Sequence, residues 1–165
     1  DAPTTTDGLT PLHNASVHGH AEAAQVLVVH GACLHAETLD GNTPLHEAVI
    51  AGKEAVVRTL VELGANLHKA NMALYGKTPL HIAAQQGDTQ MVRVLVQLGA
   101  NVKAESPDEK RTPLHIAAGN SDAQDVRTLV ELGAHVNAQN SDGATPLHEA
   151  ACNSHVEVVR ALVEL

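Results

Sequence analysis

The stretch Thr78-Pro79-Leu80-His81-Ile82-Ala83-Ala84 decides the fold of this chain, because its first four residues occur five times. The copies are 33, 35, 34 and 33 residues apart, an alanine follows two residues after each histidine, and they begin at Thr10, Thr43, Thr78, Thr112 and Thr145. A recurring unit of this length is typical of stacked-repeat proteins. Each unit in such a protein packs only against its neighbours, so no central core is needed.

Every copy carries the signals that begin a short helix. The threonine hydroxyl caps the first turn, and the proline fits the first helical position, where its missing N–H leaves no partner unpaired. In the third unit this first helix, called helix A, is predicted for residues 79–86. A second helix, called helix B, is predicted for residues 54–63 and 89–98, where apolar residues recur at every third or fourth position. A Gly-Ala pair then ends helix B.

The residue that ends helix A varies between units. Gly19, Gly52 and Gly87 stand where a left-handed residue would end it, whereas the fourth and fifth units carry Ser121 and Ser154 there. If both serines are left-handed, each is strained by roughly 1–2 kcal/mol. We therefore expect Ser121→Gly to raise the unfolding temperature.

The segment between helix B and the next motif threonine, called a finger, differs in length between units. Asp40-Gly41 and Asp142-Gly143 suit a tight hairpin. The finger at residues 71–77 is two residues longer than these, and the finger at residues 106–111 is one residue longer and has lost the Asp-Gly pair. Insertions in a repeat array accumulate on loops, often on the binding side.

From about Asp7 to Leu165 the chain resembles the ankyrin-repeat family, whose signature Thr-Pro-Leu-His-x-Ala it carries five times. The resemblance implies one all-α domain over residues 1–165, an ankyrin-repeat solenoid of five helix-turn-helix units joined by β-hairpin fingers. We assign the units to residues 7–39, 40–74, 75–109, 110–141 and 142–165. The fifth stops before its Gly-Ala pair, so we expect it to be truncated and the chain to be a piece of a longer protein.

Composition narrows the classes of function. Ten Lys and Arg against nineteen Asp and Glu give a net charge of −9, which disfavours nucleic acid because its phosphates would be repelled. No apolar run is long enough to span a membrane, and we expect no signal peptide in this sequence. Cys33 and Cys152 lie in different units, and free thiols suggest a reducing compartment, so we expect the cytoplasm or the nucleus.

Twelve histidines raise the question of metal binding. In the ankyrin family the motif histidine bonds the nearby threonine and the backbone of the adjoining loop. The structural set that the resemblance implies is Thr10, His13, Thr43, His46, Thr78, His81, Thr112, His115, Thr145 and His148. Successive rings would lie about 10 Å apart, too far to share a metal whose bonds to nitrogen are about 2 Å. His18 and His20 have no convincing third ligand, and no metal site is predicted.

His35, His68 and Asn137 occupy one position of the unit, eight residues after a helix-B leucine. In the ankyrin family this position resembles the target of asparaginyl hydroxylases, so the three side chains are candidates for hydroxylation. The alternative is an ordinary turn residue that bonds its own backbone.

Neither catalytic residues nor a cofactor are predicted. The chain has no Gly-x-Ser-x-Gly and no phosphate-cradling Gly-rich loop, and neither cysteine lies beside a plausible base. Cys152 falls on helix A, where we interpret it as a small filler or a contact residue rather than a redox site. The chain is therefore not expected to be an enzyme.

A partner-binding site is predicted where the two longer fingers converge. The residues that precede the motif threonines should form one column along the concave face: Leu9, Asn42, Lys77, Arg111 and Ala144. With Lys110 and the single aromatic residue Tyr75, this column places a basic and aromatic spot on an acidic molecule. Arg and Tyr are favoured residues at protein interfaces.

Two alternatives stay open at these fingers. Lys110 and Arg111 would be merely solvated if they pair with Asp108 and Glu109. Met72 and Leu74 either add an exposed apolar contact or fold back onto helix B.

The last residues of helix A extend the predicted surface. They vary in type between units while their neighbours repeat, which a recognition face allows and a packing face does not. The predicted partner-binding residues are Asn42, Ile50, Met72, Tyr75, Lys77, Gln85, Gln86, Lys110, Arg111, Asn120, Cys152 and Asn153.

These patterns favour a protein–protein interaction module whose concave finger and helix-A face binds an acidic or extended segment of a partner protein. The alternative is a targeting or regulatory segment of a larger enzyme, channel, ubiquitin-ligase adaptor or secreted effector. We expect a monomer, with end-to-end stacking possible at the uncapped C-terminal end.

Overall fold

The computed structural model describes residues 6–165, which form ten α-helices in five consecutive pairs. The first five positions of the predicted domain lie outside the described residues. The helices are α1 (Pro11–His18), α2 (Ala21–Val29), α3 (Pro44–Ile50), α4 (Glu54–Glu62), α5 (Pro79–Gln86), α6 (Thr89–Gln97), α7 (Pro113–Ala118), α8 (Ala123–Glu131), α9 (Pro146–Cys152) and α10 (Val156–Glu164). The odd-numbered helices are the helix-A members and the even-numbered ones the helix-B members.

The helix pairs stack as a solenoid. Each helix A packs against its own helix B and against the helix A of the next unit. Contacts therefore stay between neighbours, as expected for a repeat array. The predicted all-α solenoid is confirmed.

The core consists of thin layers of aliphatic side chains. The motif leucines of the first four units are fully buried, as are the helix-B leucines Leu60, Leu95 and Leu129. Small alanines such as Ala48, Ala83 and Ala117 let the helix-A layers approach closely, and they are fully buried as well. Helices of this length are marginal alone, so it is this stacking that stabilises them.

The helix ends agree with the glycine pattern but not with both serines. Gly19, Gly52 and Gly87 have φ between 65° and 80°, and Ser154 shares this conformation with φ 59°. Ser121 does not have a positive φ, so the prediction of backbone strain at this residue is wrong. The reason is that α7 ends early, with right-handed backbone (φ −76°, ψ −9°) at its final cap, Gly119.

The fingers are narrow loops rather than extended hairpins. One backbone hydrogen bond of 2.8–2.9 Å closes each finger, at residues 38–42, 71–77, 106–111 and 140–144. Within residues 6–165, only the pair Asn71 and Lys77 forms an isolated antiparallel β-bridge. Residues Met72–Leu74 form a 3-10 turn that takes up the extra length of that finger.

Candidate partner-binding site

The motif histidines are part of the scaffold that holds the fingers. In all five units the ring Nδ1 accepts the threonine backbone N–H at 3.1–3.3 Å. The proton of the neutral ring therefore lies on Nε2. Nε2 of His13, His81 and His115 donates to a carbonyl of the following finger at 3.0–3.1 Å.

Two of these rings lie beneath the longer fingers. Burial lowers the pKa of His46 and of His81 to about 4, so both rings are neutral at pH 7. Nε2 of His46 is buried without a hydrogen-bond partner, and the finger that it faces is the longest one.

The fingers at residues 71–77 and 106–111, called the irregular fingers, pack tightly against each other. Gly76 has φ 68°, and a Cβ atom built there would lie 2.2 Å from Cδ of Pro107. Asn71 holds the opposite side, since its Nδ2 donates to the Asp40 carbonyl at 2.9 Å and to Oδ1 of Asn42. The two fingers are therefore fixed relative to each other and to the preceding one.

Each irregular finger contains a side-chain-bearing residue in a left-handed conformation. Tyr75 has φ 57° and Lys110 has φ 53°, whereas the fingers at residues 38–42 and 140–144 place Gly41 and Gly143 in that region. A non-glycine residue pays about 1–2 kcal/mol for this backbone. Strain of this kind concentrates at functional sites.

The irregular fingers enclose a pocket of about 320 Å³, called the central pocket. Its lining combines cations, an aromatic ring and an aliphatic side chain: Tyr75, Lys77, Ser106, Glu109, Arg111 and Ile116. The structure thus brings together three residues that the sequence predicts for the site, Tyr75, Lys77 and Arg111. Tyr75 is 69% exposed and therefore available for contact.

The cations of the central pocket differ in how firmly they are held. Arg111 contacts Glu149 at 3.2 Å and Glu109 at 3.7 Å. Nζ of Lys77 donates to the neutral amide of Gln85 at 2.8 Å and lies 5.9 Å from the centroid of the Tyr75 ring. Burial, and then the charge of Arg111, lowers the pKa of the Lys77 amine.

The alternative that Lys110 and Arg111 pair with the neighbouring carboxylates therefore holds for Arg111, which contacts Glu109. Among the described residues, Lys77 and Lys110 form no ion pair with a carboxylate. Lys77, which lines the central pocket, and Lys110, which precedes Arg111 in the same finger, therefore carry charges without a carboxylate partner in this part of the chain.

The helix-A ends continue the groove beyond the central pocket. A second pocket of about 350 Å³ shares Lys77, Arg111 and Ile116 with the first. It adds three predicted residues, Gln85, Asn120 and Asn153. Nδ2 of Asn120 donates to the Ala84 carbonyl at 2.9 Å, so this side chain also joins neighbouring units.

Several predicted residues lie elsewhere. Asn42 is only 7% exposed, because its side chain is bonded to Glu47 and Asn71, so the structure places it inside the stack rather than on the surface. Ile50 and Cys152 are exposed on helix A but line neither pocket.

The longest finger splits its two apolar side chains. Met72 is 61% exposed, and Leu74 packs against the core. Met72 therefore offers an apolar surface on the same finger as Tyr75. Gln86 is the last residue of α5, and its Nε2 donates to the Ile50 carbonyl at 2.9 Å.

The remaining candidates are positioned as follows. His35, His68 and Asn137 are all exposed in the turn after helix B. The rings of His18 and His20 stack with centroids 6.0 Å apart. Throughout residues 6–165, no three His, Cys, Asp or Glu side chains are arranged to hold a metal ion.

The predicted partner-binding residues do not include five of the residues that line these two pockets: Ser106, Glu109, Ile116, Gly119 and Glu149. Glu149 comes from the fifth unit and meets Arg111 only through the stacking of the units. Ser106 is buried, and its hydroxyl accepts the Arg111 backbone N–H at 3.1 Å. No spacing signal distinguishes these residues from ordinary finger and helix-A positions.

Comparison with protein-family models identifies the family. A model described as ankyrin repeats, in three copies, matches residues 1–71, 66–140 and 99–165. The chain belongs to the ankyrin-repeat family. Ankyrin repeats are generally protein–protein interaction modules and are typically non-enzymatic, so protein partners are implied.

No curated protein sequence matches the chain significantly. None of the described helices combines the length and the apolar character that crossing a bilayer requires.

Proposed function

We propose that this ankyrin-repeat chain binds an extended segment of a partner protein on its finger and helix-A face, with the central pocket as the main contact. One observation carries the proposal. Tyr75, Lys77 and Arg111 come from two different irregular fingers and line a single pocket of about 320 Å³.

The charges of the pocket favour an acidic side chain on the partner. Lys77 offers an ammonium group whose present partner is a neutral amide. The contact between Arg111 and Glu109, at 3.7 Å, is the longer of the two contacts that Arg111 makes with carboxylates, and the Glu109 side chain is 55% exposed. An incoming carboxylate would bond Lys77 and replace Glu109 at the guanidinium, for which two parallel hydrogen bonds are the strongest arrangement.

Apolar surface next to the charges favours an apolar residue beside that acidic one. Tyr75 and Met72 are exposed on the same finger. Aromatic side chains supply large contact area at interfaces, and contacts of this kind supply most of the binding free energy. The partner segment would therefore carry an acidic residue adjacent to an apolar one.

The interlocked fingers support binding without a large ordering cost. Gly76 packs against Pro107, and Asn71 bonds the preceding finger, so the pocket walls are fixed before a partner arrives. Pre-organisation of this kind improves affinity, since less conformational entropy is lost on binding.

A display library of random peptides selected on the immobilised protein tests the proposal. The expected result is enrichment of peptides with an acidic residue next to an apolar one. The double variant Tyr75→Ala, Arg111→Glu should bind these peptides at least tenfold more weakly, which corresponds to a loss of about 1.4 kcal/mol in binding free energy.

Arg127→Glu is the matched control, because it makes the same charge change on helix α8, where Arg127 pairs with Glu164. Circular dichroism of all variants verifies that they fold. Equal binding by the double variant and the wild type would refute the central pocket as the contact.

A further inference from the structure

An unpaired cluster of carboxylates lies at the opposite end of helix A from the central pocket. The acidic cluster consists of Asp88, Asp122 and Asp125. The first two cap α6 and α8, where their Oδ1 atoms accept backbone N–H groups at 2.8–2.9 Å. Asp122 is exposed, and Asp125 is fully buried.

Asp125 occupies a position that other units fill with apolar residues. Val56, Met91 and Val158 are its equivalents on the other B helices, and all three are buried in the core. A carboxylate here costs stability unless its charge is compensated. Packing alone therefore does not explain its presence.

The Asp125 carboxylate is only half satisfied. One oxygen accepts the Thr89 hydroxyl, whereas Oδ2 is buried without a hydrogen-bond partner. Burial raises the pKa of Asp125, and the neighbouring charges of Asp122 and Asp88 raise it further.

The acidic cluster has no ion-pair partner in the described part of the chain, and His155, which lines the same pocket as Asp122 and Asp125, bonds the Gly119 carbonyl through Nε2 at 3.0 Å. No Lys, Arg or His within residues 6–165 forms an ion pair with any of the three carboxylates. The three carboxylates are not arranged to hold a metal ion. A cationic side chain, which contributes several N–H donors at the end of a long stem, suits such a cluster better.

The cluster opens into the groove that begins at the central pocket. The second pocket shares Gln85, Gly119 and Asn120 with a third one of about 510 Å³, whose lining includes Asp122 and Asp125. Gly87 lines this third pocket, and a Cβ atom there would lie 3.2 Å from Oδ2 of Asp125. Because Gly87 has no side chain, it leaves the space beside that oxygen open.

We propose that this groove is bipolar and binds a segment that carries both an acidic and a basic residue. The acidic residue enters the central pocket, and an arginine or lysine reaches Asp122 above the buried Asp125. This inference rests on the proposed function and adds a second charge requirement to it.

The length of helix A sets the spacing of the two charges. Helix α5 has eight residues and separates the two ends of the groove, so it spans about 12 Å at 1.5 Å per residue. An extended peptide advances about 3.3 Å per residue. The basic residue should therefore lie about four positions from the acidic one in the partner.

The selected peptides described above provide the probe. Those that bind best are expected to carry Arg or Lys three to five positions from the acidic residue. The double variant Asp122→Asn, Asp125→Asn keeps the helix cap and the bond to Thr89, since asparagine caps as well as aspartate. It should bind these peptides roughly threefold to tenfold more weakly.

A thermodynamic cycle separates direct pairing from a general change in charge. The loss should disappear for a peptide whose basic residue is replaced by glutamine. Asp142→Asn removes one exposed charge, as Asp122→Asn does, but in the finger at residues 140–144, and it should leave the affinity unchanged.

The outcomes distinguish this inference from the proposed function. If Tyr75→Ala, Arg111→Glu abolishes binding but the aspartate variant binds normally, the bipolar groove is wrong and the central pocket remains. Enriched peptides without a basic residue would overturn it as well. If no selected peptide binds the wild type more tightly than it binds the Tyr75→Ala, Arg111→Glu variant, both the central pocket and the bipolar groove are wrong.

Discussion

The two fingers at residues 38–42 and 140–144, called the regular fingers, differ from the irregular fingers in what occupies the left-handed turn. The regular fingers use Asp-Gly and place Gly41 or Gly143 there, with φ 74° and 77°. The irregular fingers place Tyr75 and Lys110 in this conformation and have side chains that enclose a pocket. The comparison indicates that the irregular fingers, which have a strained backbone, form a shaped and charged surface that the regular fingers lack.

The largest expected effect follows from the contact between the irregular fingers. Gly76→Ala forces a methyl group to within 2.2 Å of Pro107, whereas nothing lies within 4 Å at Gly143. Gly143→Ala should therefore cost only the left-handed strain, about 1–2 kcal/mol. Gly76→Ala should cost a further 1–3 kcal/mol or so from overpacking. Urea unfolding of both variants measures the difference, and equal losses would contradict the interlocked fingers.

Acid sensitivity should also concentrate beneath the irregular fingers. Burial lowers the pKa of His46 and His81 from 6.5 to about 4, so the folded protein binds these protons less readily than the unfolded chain. Their contribution to stability is full above pH 6.5 and is lost as the pH falls towards 4. Each ring should account for roughly 3 kcal/mol of that loss.

Unfolding at pH 7 and at pH 4.5 measures this effect. The loss between the two conditions should be smaller in His81→Gln than in the wild type. His13→Gln is the matched variant beneath a regular finger, where burial also lowers the pKa of the ring. If the stability loss between pH 7 and pH 4.5 is reduced more in His13→Gln than in His81→Gln, the acid-sensitive ring lies beneath a regular finger and the prediction is wrong.

Lys110 tests whether one residue both strains the backbone and contributes to partner binding. Lys110→Gly should stabilise the protein by about 0.5–1 kcal/mol, because glycine adopts a positive φ without strain. The same change should weaken partner binding, since it removes an unpaired charge beside the central pocket. Lys110→Ala keeps the strained backbone and loses the charge, so it should weaken binding without stabilising the fold. Unchanged binding in both variants would remove Lys110 from the site.

The sequence predicts the fold well because the same local signals occur five times. Each Thr-Pro-Leu-His fixes where a helix begins, and the resemblance extends over nearly the whole chain. The meeting of Tyr75, Lys77 and Arg111 also follows from sequence, since the solenoid aligns equivalent positions of neighbouring units.

Predictions failed where packing, rather than register, decides the outcome. Asn42 belongs to the same column as Lys77, but Asn71 from the longer finger reaches across and buries it. Ser121 aligns with the helix-ending glycines, but α7 ends too early for a left-handed residue there. Asp125, in contrast, could have been found from sequence, because it interrupts the apolar stripe of helix B.

The smallest expected effect is on stability and compares the two serines. Ser154→Gly should stabilise the protein by about 0.5–1 kcal/mol, because Ser154 is left-handed with φ 59°. Ser121→Gly relieves no such strain and should be neutral or slightly destabilising. Thermal unfolding of the pair distinguishes them, and a gain from Ser121→Gly alone would reverse the assignment. Ser154 lines none of the three pockets of the groove, so Ser154→Gly should not affect binding.

Amide chemical shifts of the isotopically labelled protein, titrated with a selected peptide, locate the surface that the partner contacts. The largest changes are expected at residues 75–77 and 106–111 and at the ends of α5 and α7, with little change at the regular fingers. Changes concentrated at residues 38–42 or 140–144, or along the B helices away from the start of α8, would show that the partner binds elsewhere.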